Sequence, residues 1–68
     1  MTRLKVNGVE EEVAVATVAD LLVERGIDPT ARFLAVAING AVIRRADWPA
    51  TQLAAGDAIE IVRPLQGG

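Results

Sequence analysis

Little in this 68-residue chain can react, and that directs attention to its last two residues, Gly67 and Gly68. There is no Cys, His, Tyr or Ser, so a general base or nucleophile would have to be Asp, Glu, Lys or Thr. No His/Cys metal site and no disulfide can be built. Two residues without Cβ make the thinnest peptide available, one that can be threaded through a narrow channel into another protein's active site. The reactive group would then be the α-carboxylate of Gly68. A carboxylate is an inert electrophile until an oxygen becomes a leaving group, as it does in an acyl-adenylate. A sulfur nucleophile attacking that acyl carbon would leave a thiocarboxylate, which is anionic and nucleophilic at neutral pH without a neighbouring base. Such a chain carries reactive sulfur with no cysteine of its own, and its fold serves presentation. The plainer reading of the same ending is a frayed terminus.

Composition narrows the classes further. With 51% hydrophobic residues the chain is too apolar for intrinsic disorder, and its length predicts one small domain spanning 1–68. Seven basic against nine acidic side chains give a net charge of −2, and only 3% are aromatic. That balance predicts no nucleic-acid partner, because neither a basic footprint nor a set of stacking rings is present. No apolar run approaches a membrane span and no signal peptide opens the chain, so a soluble, cytoplasmic protein with no membrane partner is expected, monomeric when free.

The elements that must position the tail follow from pattern. Arg3-Leu4-Lys5-Val6 alternates as a half-buried strand, and Asn7-Gly8 is a type I′ hairpin signal returning the chain as Val9 to Val15. The acidic run Glu10-Glu11-Glu12 on that return strand reads as a solvated edge. Thr17 followed by Asp20 is an N-cap signature, and Val18, Leu21, Leu22 and the stem of Arg25 fall on one stripe of a helix of roughly nine residues. Gly26 supplies the left-handed terminus with Ile27 packing back, and Asp28-Pro29 prevents continuation. Phe33 to Ile38, apolar on both faces, predicts a central strand. Asn39-Gly40 turns it into Val42-Ile43, Ala46 to Pro49 break the pattern, and Leu53 is an isolated anchor. After the Gly56-Asp57 turn, Ala58 to Val62 form the last strand. Trp48 and Phe33 are expected to cap or fill the core, and Asp57 to belong to its turn. Residues 63–68 remain as an extended, flexible tail.

Strand, strand, helix, strand, short strand, strand predicts an α+β fold of the β-grasp (ubiquitin-like) kind. It would have a mixed four- to five-stranded sheet, one main helix packed on one face, and strand one parallel to strand three or five near the centre. The sheet face away from the helix should be partly apolar, a natural partner surface.

Taken together, Leu34 to Ile43, Arg45-Ala46-Asp47-Trp48, Leu53 to Val62 and the ending Gln66-Gly67-Gly68 resemble the ThiS family of sulfur carriers of thiamine biosynthesis, over essentially the whole length. The resemblance implies a carrier that is not itself an enzyme and binds no cofactor. A ThiF-type adenylating enzyme would use ATP-Mg to form the acyl-adenylate on Gly68. A cysteine desulfurase, a sulfurtransferase or another donor would supply the sulfur, and thiazole synthase, ThiG, would accept it. Gln66 and Gly67 would be threaded into the partner's active site. Leu65, Arg63 and Arg45 are the expected partner contacts, although Arg44 and Arg45 also read as ordinary surface charge. Three alternatives share the tail or the fold: the small (MoaD-like) subunit of molybdopterin synthase or another sulfur carrier, a modifier joined to lysines by isopeptide bonds, and a β-grasp interaction module that carries nothing.

Overall fold

The computed structural model describes residues 1–63. Strands β1 (Thr2–Val6) and β2 (Val9–Val13) form the first hairpin and are followed by helix α1 (Val18–Glu24). Strands β3 (Ala35–Ile38) and β4 (Ala41–Ile43) form the second hairpin. A 3-10 helix over Arg45–Ala50 and strand β5 (Ala58–Val62) complete the elements of the described residues. The sheet order is β2-β1-β5-β3-β4, with β1 and β5 parallel and every other pair antiparallel. This is the expected mixed β-grasp sheet, and strand five is the one that lies parallel to strand one. The centre of the sheet belongs to β5.

Both Asn-Gly turns take the type I′ form. Asn7 and Gly8 have φ of 51° and 85°, and Asn39 and Gly40 have φ of 52° and 86°, so all four sit in the left-handed region that this turn demands. The two-residue loops fix the register, pairing Val6 with Val9 and Ile38 with Ala41. Alternation then sends Leu4, Val6, Ile59, Ile61 and Val36 to the helix face, where all are buried.

Helix α1 is held at both ends. Thr17 is extended and its Oγ1 accepts the Asp20 amide at 3.2 Å, while the Asp20 charge complements the positive helix end. At the other end the Gly26 N–H donates to Val23 O and the Ile27 N–H to Leu22 O, at 3.0 and 2.9 Å. This is a Schellman closure with Gly26 at φ 75° and Ile27 folded back into the core. The helix spans seven residues rather than roughly nine, because that closure begins at Arg25. Val18, Leu21 and Leu22 are fully buried against the sheet.

Three expectations need correction. Phe33 does not fill the core: it is 78% exposed and has φ 63°. The chain turns left-handed at Phe33, so Leu34 drops into the core in its place, and β3 starts only at Ala35. For a bulky side chain that backbone region stores on the order of 1–2 kcal/mol of strain. The acidic run lies on the sheet edge with Glu10 and Glu12 exposed, as expected, and Glu11 is the departure from a solvated reading. Arg3 sits across from Glu10 at 3.3 Å and Glu12 at 3.5 Å, and half-buried Glu11 pairs with the Arg25 guanidinium at the end of α1. The exposed Arg3 pairs add little stability. The β2 strand also ends early, at Val13, so Val15 packs beside the core from a loop.

Trp48, from the 3-10 helix, is 2% exposed and closes the core, as expected of it. Its indole N–H donates to Ile43 O at 2.9 Å. Leu53 also packs against the core, held where the 16–18 and 51–53 segments pair through Val18 N–H to Thr51 O and Leu53 N–H to Ala16 O.

Candidate functional site

Among the described residues no group of three or more acidic, His or Cys side chains could hold a metal ion, and no helix is long and apolar enough to cross a membrane. Glu10, Glu11, Glu12 and Asp47 are ion-paired, and Asp28 and Asp57 tie turns. A cleft of about 500 Å³ lies between β1 and the 55–58 loop and is lined by Arg3, Leu4, Lys5, Glu10, Gly56 and Ala58. It sits at the start of β5, the far end of that strand from the tail. Its lining does not pair a base with a nucleophile, and the candidate site expected from the sequence lies past the end of β5.

How β5 is held therefore decides what happens at the exit. The two turn asparagines reach it from opposite sides. Asn7 Oδ1 accepts the Ile61 N–H at 2.8 Å, and the Asn7 N–H donates to Ile59 O at 2.8 Å. On the other side Asn39 Oδ1 accepts the Ala58 N–H at 2.9 Å, and the Asn39 N–H donates to Ala58 O at 2.8 Å. Each side chain thus extends the ladder one step past the end of its own strand. The Asn39 amide also donates to Asp57 Oδ1 at 3.0 Å, and Asp57 Oδ2 accepts the Ala54 N–H at 2.9 Å. Asp57 belongs to its turn as expected, and it orients Asn39 as well. The roles of the two asparagines beyond their turns were not read from the sequence. The available signal was the choice of Asn, whose amide offers both donor and acceptor, at both turns.

Held on both flanks, β5 runs to Val62, which pairs with Ala35 of β3. Arg63 follows at the sheet end and shares a small cleft with Asn7, Arg25, Ile27 and Ile61. Of the residues singled out in the sequence, Arg63 is therefore at the exit. Leu65, Gln66, Gly67 and Gly68 lie outside the described residues.

Arg45 is engaged with its own chain. Its guanidinium donates to Pro29 O and, at 2.7 Å, to Ala31 O, and it lies 4.8 Å from the centre of the Trp48 ring. The loop it clasps is the one that leads to Phe33. Asp28 closes the same loop: its Oδ1 accepts the Thr30 N–H at 2.9 Å and the Thr30 hydroxyl at 2.7 Å. These two bonds, with a smaller contribution from the Arg45 charge, hold the Asp28 carboxyl below its ordinary value of 3.8. A lowered folded-state pKa contributes stability that is present above the unfolded pKa and disappears as pH falls through the folded one. Replacing Asp28 with Asn should thus lower the melting temperature at pH 6, with the difference shrinking below about pH 4. Thermal melts of both proteins between pH 7 and 2 check this, and a difference that stays constant across that range would refute it.

Comparison with known proteins gives one family. The family model described as the ThiS family matches residues 4–68. Among solved structures, the crystal structure of a thiamine biosynthesis protein (ThiS) from Geobacter metallireducens is 33% identical, with a TM-score of 0.78, covering 98% of this chain and 100% of that one. The solution structure of a thiamine biosynthesis protein from Geobacter metallireducens gives the same identity and TM-score over 98% of this chain and 88% of that one. No curated protein matches the chain.

Proposed function

The chain belongs to the ThiS family, and from that premise we propose that it is a sulfur carrier of thiamine biosynthesis whose reacting group is the carboxylate of Gly68. The observation that carries this reading is the match to the family over residues 4–68, which takes in the Gly67-Gly68 ending together with the fold. The residue inventory supports it, because a carrier needs no nucleophile of its own. The placement of β5 supports it too, since the last described strand is held in the middle of the sheet between β1 and β3.

The chemistry has two stages, both performed by partners. A carboxylate oxygen of Gly68 attacks the α-phosphorus of ATP bound with Mg in a ThiF-type enzyme, and pyrophosphate leaves. A persulfide held by a cysteine desulfurase or sulfurtransferase then attacks the acyl carbon, and AMP departs with its oxygen. A thiol cleaves the resulting acyl disulfide, leaving as a disulfide with the donor sulfur. A sulfide donor would displace AMP and give the same product directly. The product is the Gly68 thiocarboxylate, which gives its sulfur to thiazole synthase (ThiG). Gln66 and Gly67 form the thin segment that enters each partner's active site, and Leu65 and Arg63 meet the partner's surface. Arg45 contributes by clasping the 29–31 loop, which leads to Phe33.

The test is intact mass after incubation with ATP-Mg, the adenylating enzyme and a sulfur source. The expected result is a gain equal to exchanging one oxygen for one sulfur, located on the C-terminal peptide. No gain with an enzyme shown to be active on another carrier would overturn the reading.

A further inference from the structure

Three residues other than glycine have positive φ among those described: Asn7, Asn39 and Phe33. The asparagines tolerate that region and use it to form turns and hold β5. Phe33 has neither excuse. It is the bulkiest of the three, it lies outside the core, and it is 78% exposed. Glycine or asparagine would serve the turn with less strain, so the fold gives no account of an aromatic side chain here.

Its position gives one. Ala35 pairs with Val62 in the antiparallel β3–β5 register. Phe33, two residues before Ala35, therefore lies at the end of the sheet where β5 hands the chain to Arg63. Val62, the register partner of Ala35, is a second exposed apolar residue at that end, 59% exposed. Only residues 64–68 follow Arg63, and five residues reach at most about 17 Å when fully extended. Any active site that grips the Gly68 carboxylate must then lie within about that distance of this end of the sheet. An exposed aromatic ring at that end is a binding anchor, since large aromatic side chains dominate interface energetics.

We propose that Phe33 is the apolar anchor that seats this chain on the adenylating enzyme, a role that rests on the carrier reading above and assigns it a partner surface. The enzyme should offer an apolar recess beside the mouth of its tail channel. Truncating Phe33 should weaken docking and leave the chemical step alone, because the ring meets the rim and not the reacting atoms.

The experiment is pyrophosphate–ATP exchange by the cognate ThiF-type enzyme, with the full chain varied as substrate, for wild type, Phe33→Gly and Phe33→Leu. Phe33→Gly should raise the KM for the carrier about tenfold, the scale of losing one well-seated side chain. It should also leave kcat within about twofold and melt no lower than wild type. Phe33→Leu should recover most of the affinity. An unchanged KM for Phe33→Gly would overturn the proposal, as would a raised KM accompanied by a lowered melting temperature, which would assign the ring to the fold. Wild type that sediments as a dimer, dissociated by Phe33→Gly, would assign the anchor to a second copy and likewise overturn it. Absence of exchange with wild type itself, by contrast, would bring down the carrier reading first.

Discussion

Deleting Gly68 is expected to abolish sulfur loading while leaving the thermal transition where it was. The deletion leaves Gly67 bearing the terminal carboxylate and draws that group back by roughly 3.5 Å. A displacement of ~1 Å at a reacting centre can cost ~10²-fold in rate, so a shift this large should reduce adenylation at least that far. Replacing Gly67 with Trp should act as strongly by a different route, because the added side chain cannot follow the thread into a narrow channel. Neither change touches the core, whose residues all lie between Leu4 and Ile61. Intact mass and a melting curve on the same samples separate the two effects. Sulfur gained by the truncated chain would sink the carrier reading, and a lowered melting temperature would show that the tail supports the fold.

The second large effect is structural. Trp48→Ala removes a fully enclosed ring, a change that costs about 3–5 kcal/mol in well-packed cores. It also leaves Ile43 O without the indole N–H it accepts at 2.9 Å, and removes the surface under the Arg45 guanidinium. A 68-residue domain commonly has a total stability of about 3–10 kcal/mol, so this one substitution should consume most of it. Urea unfolding followed by circular dichroism should show a transition moved close to zero denaturant. Trp48→Phe, which keeps most of the volume and loses the hydrogen bond, should lose only about 1–2 kcal/mol. A Trp48→Ala protein that melts within a few degrees of wild type would mean that the core closes without the ring.

The local grammar of this fold was largely legible in the sequence. Asn-Gly twice, Thr17 three residues before Asp20, and Gly26-Ile27 each encode a turn or a helix end by chemistry that acts within a few residues, and each appears as read. Which strand would lie beside β1 was left between two choices, since parallel pairing joins residues far apart in sequence and only packing decides it. Phe33 was misplaced for a related reason. An aromatic residue ahead of an apolar run looks like core, and nothing nearby announces a left-handed turn, which is imposed by the loop that Asp28, Thr30 and Arg45 tie together. The proposed reacting end of the candidate site, Gly67-Gly68, was readable as a motif in the sequence. Its rim was not, because the rim is assembled from β3, β5 and the turn after β1.

The central placement of β5 has a mechanical consequence. A pull on the tail, such as a partner exerts when it draws the end into a channel, acts along the axis of a strand with neighbours on both sides. The ladders to β1 and β3 are then loaded together, in shear, along with the Asn7 clamp near the point of loading. An edge strand under the same tension would unzip one bond at a time. If the proposed handovers pull on the chain end, this placement of β5 would keep the sheet intact through each of them.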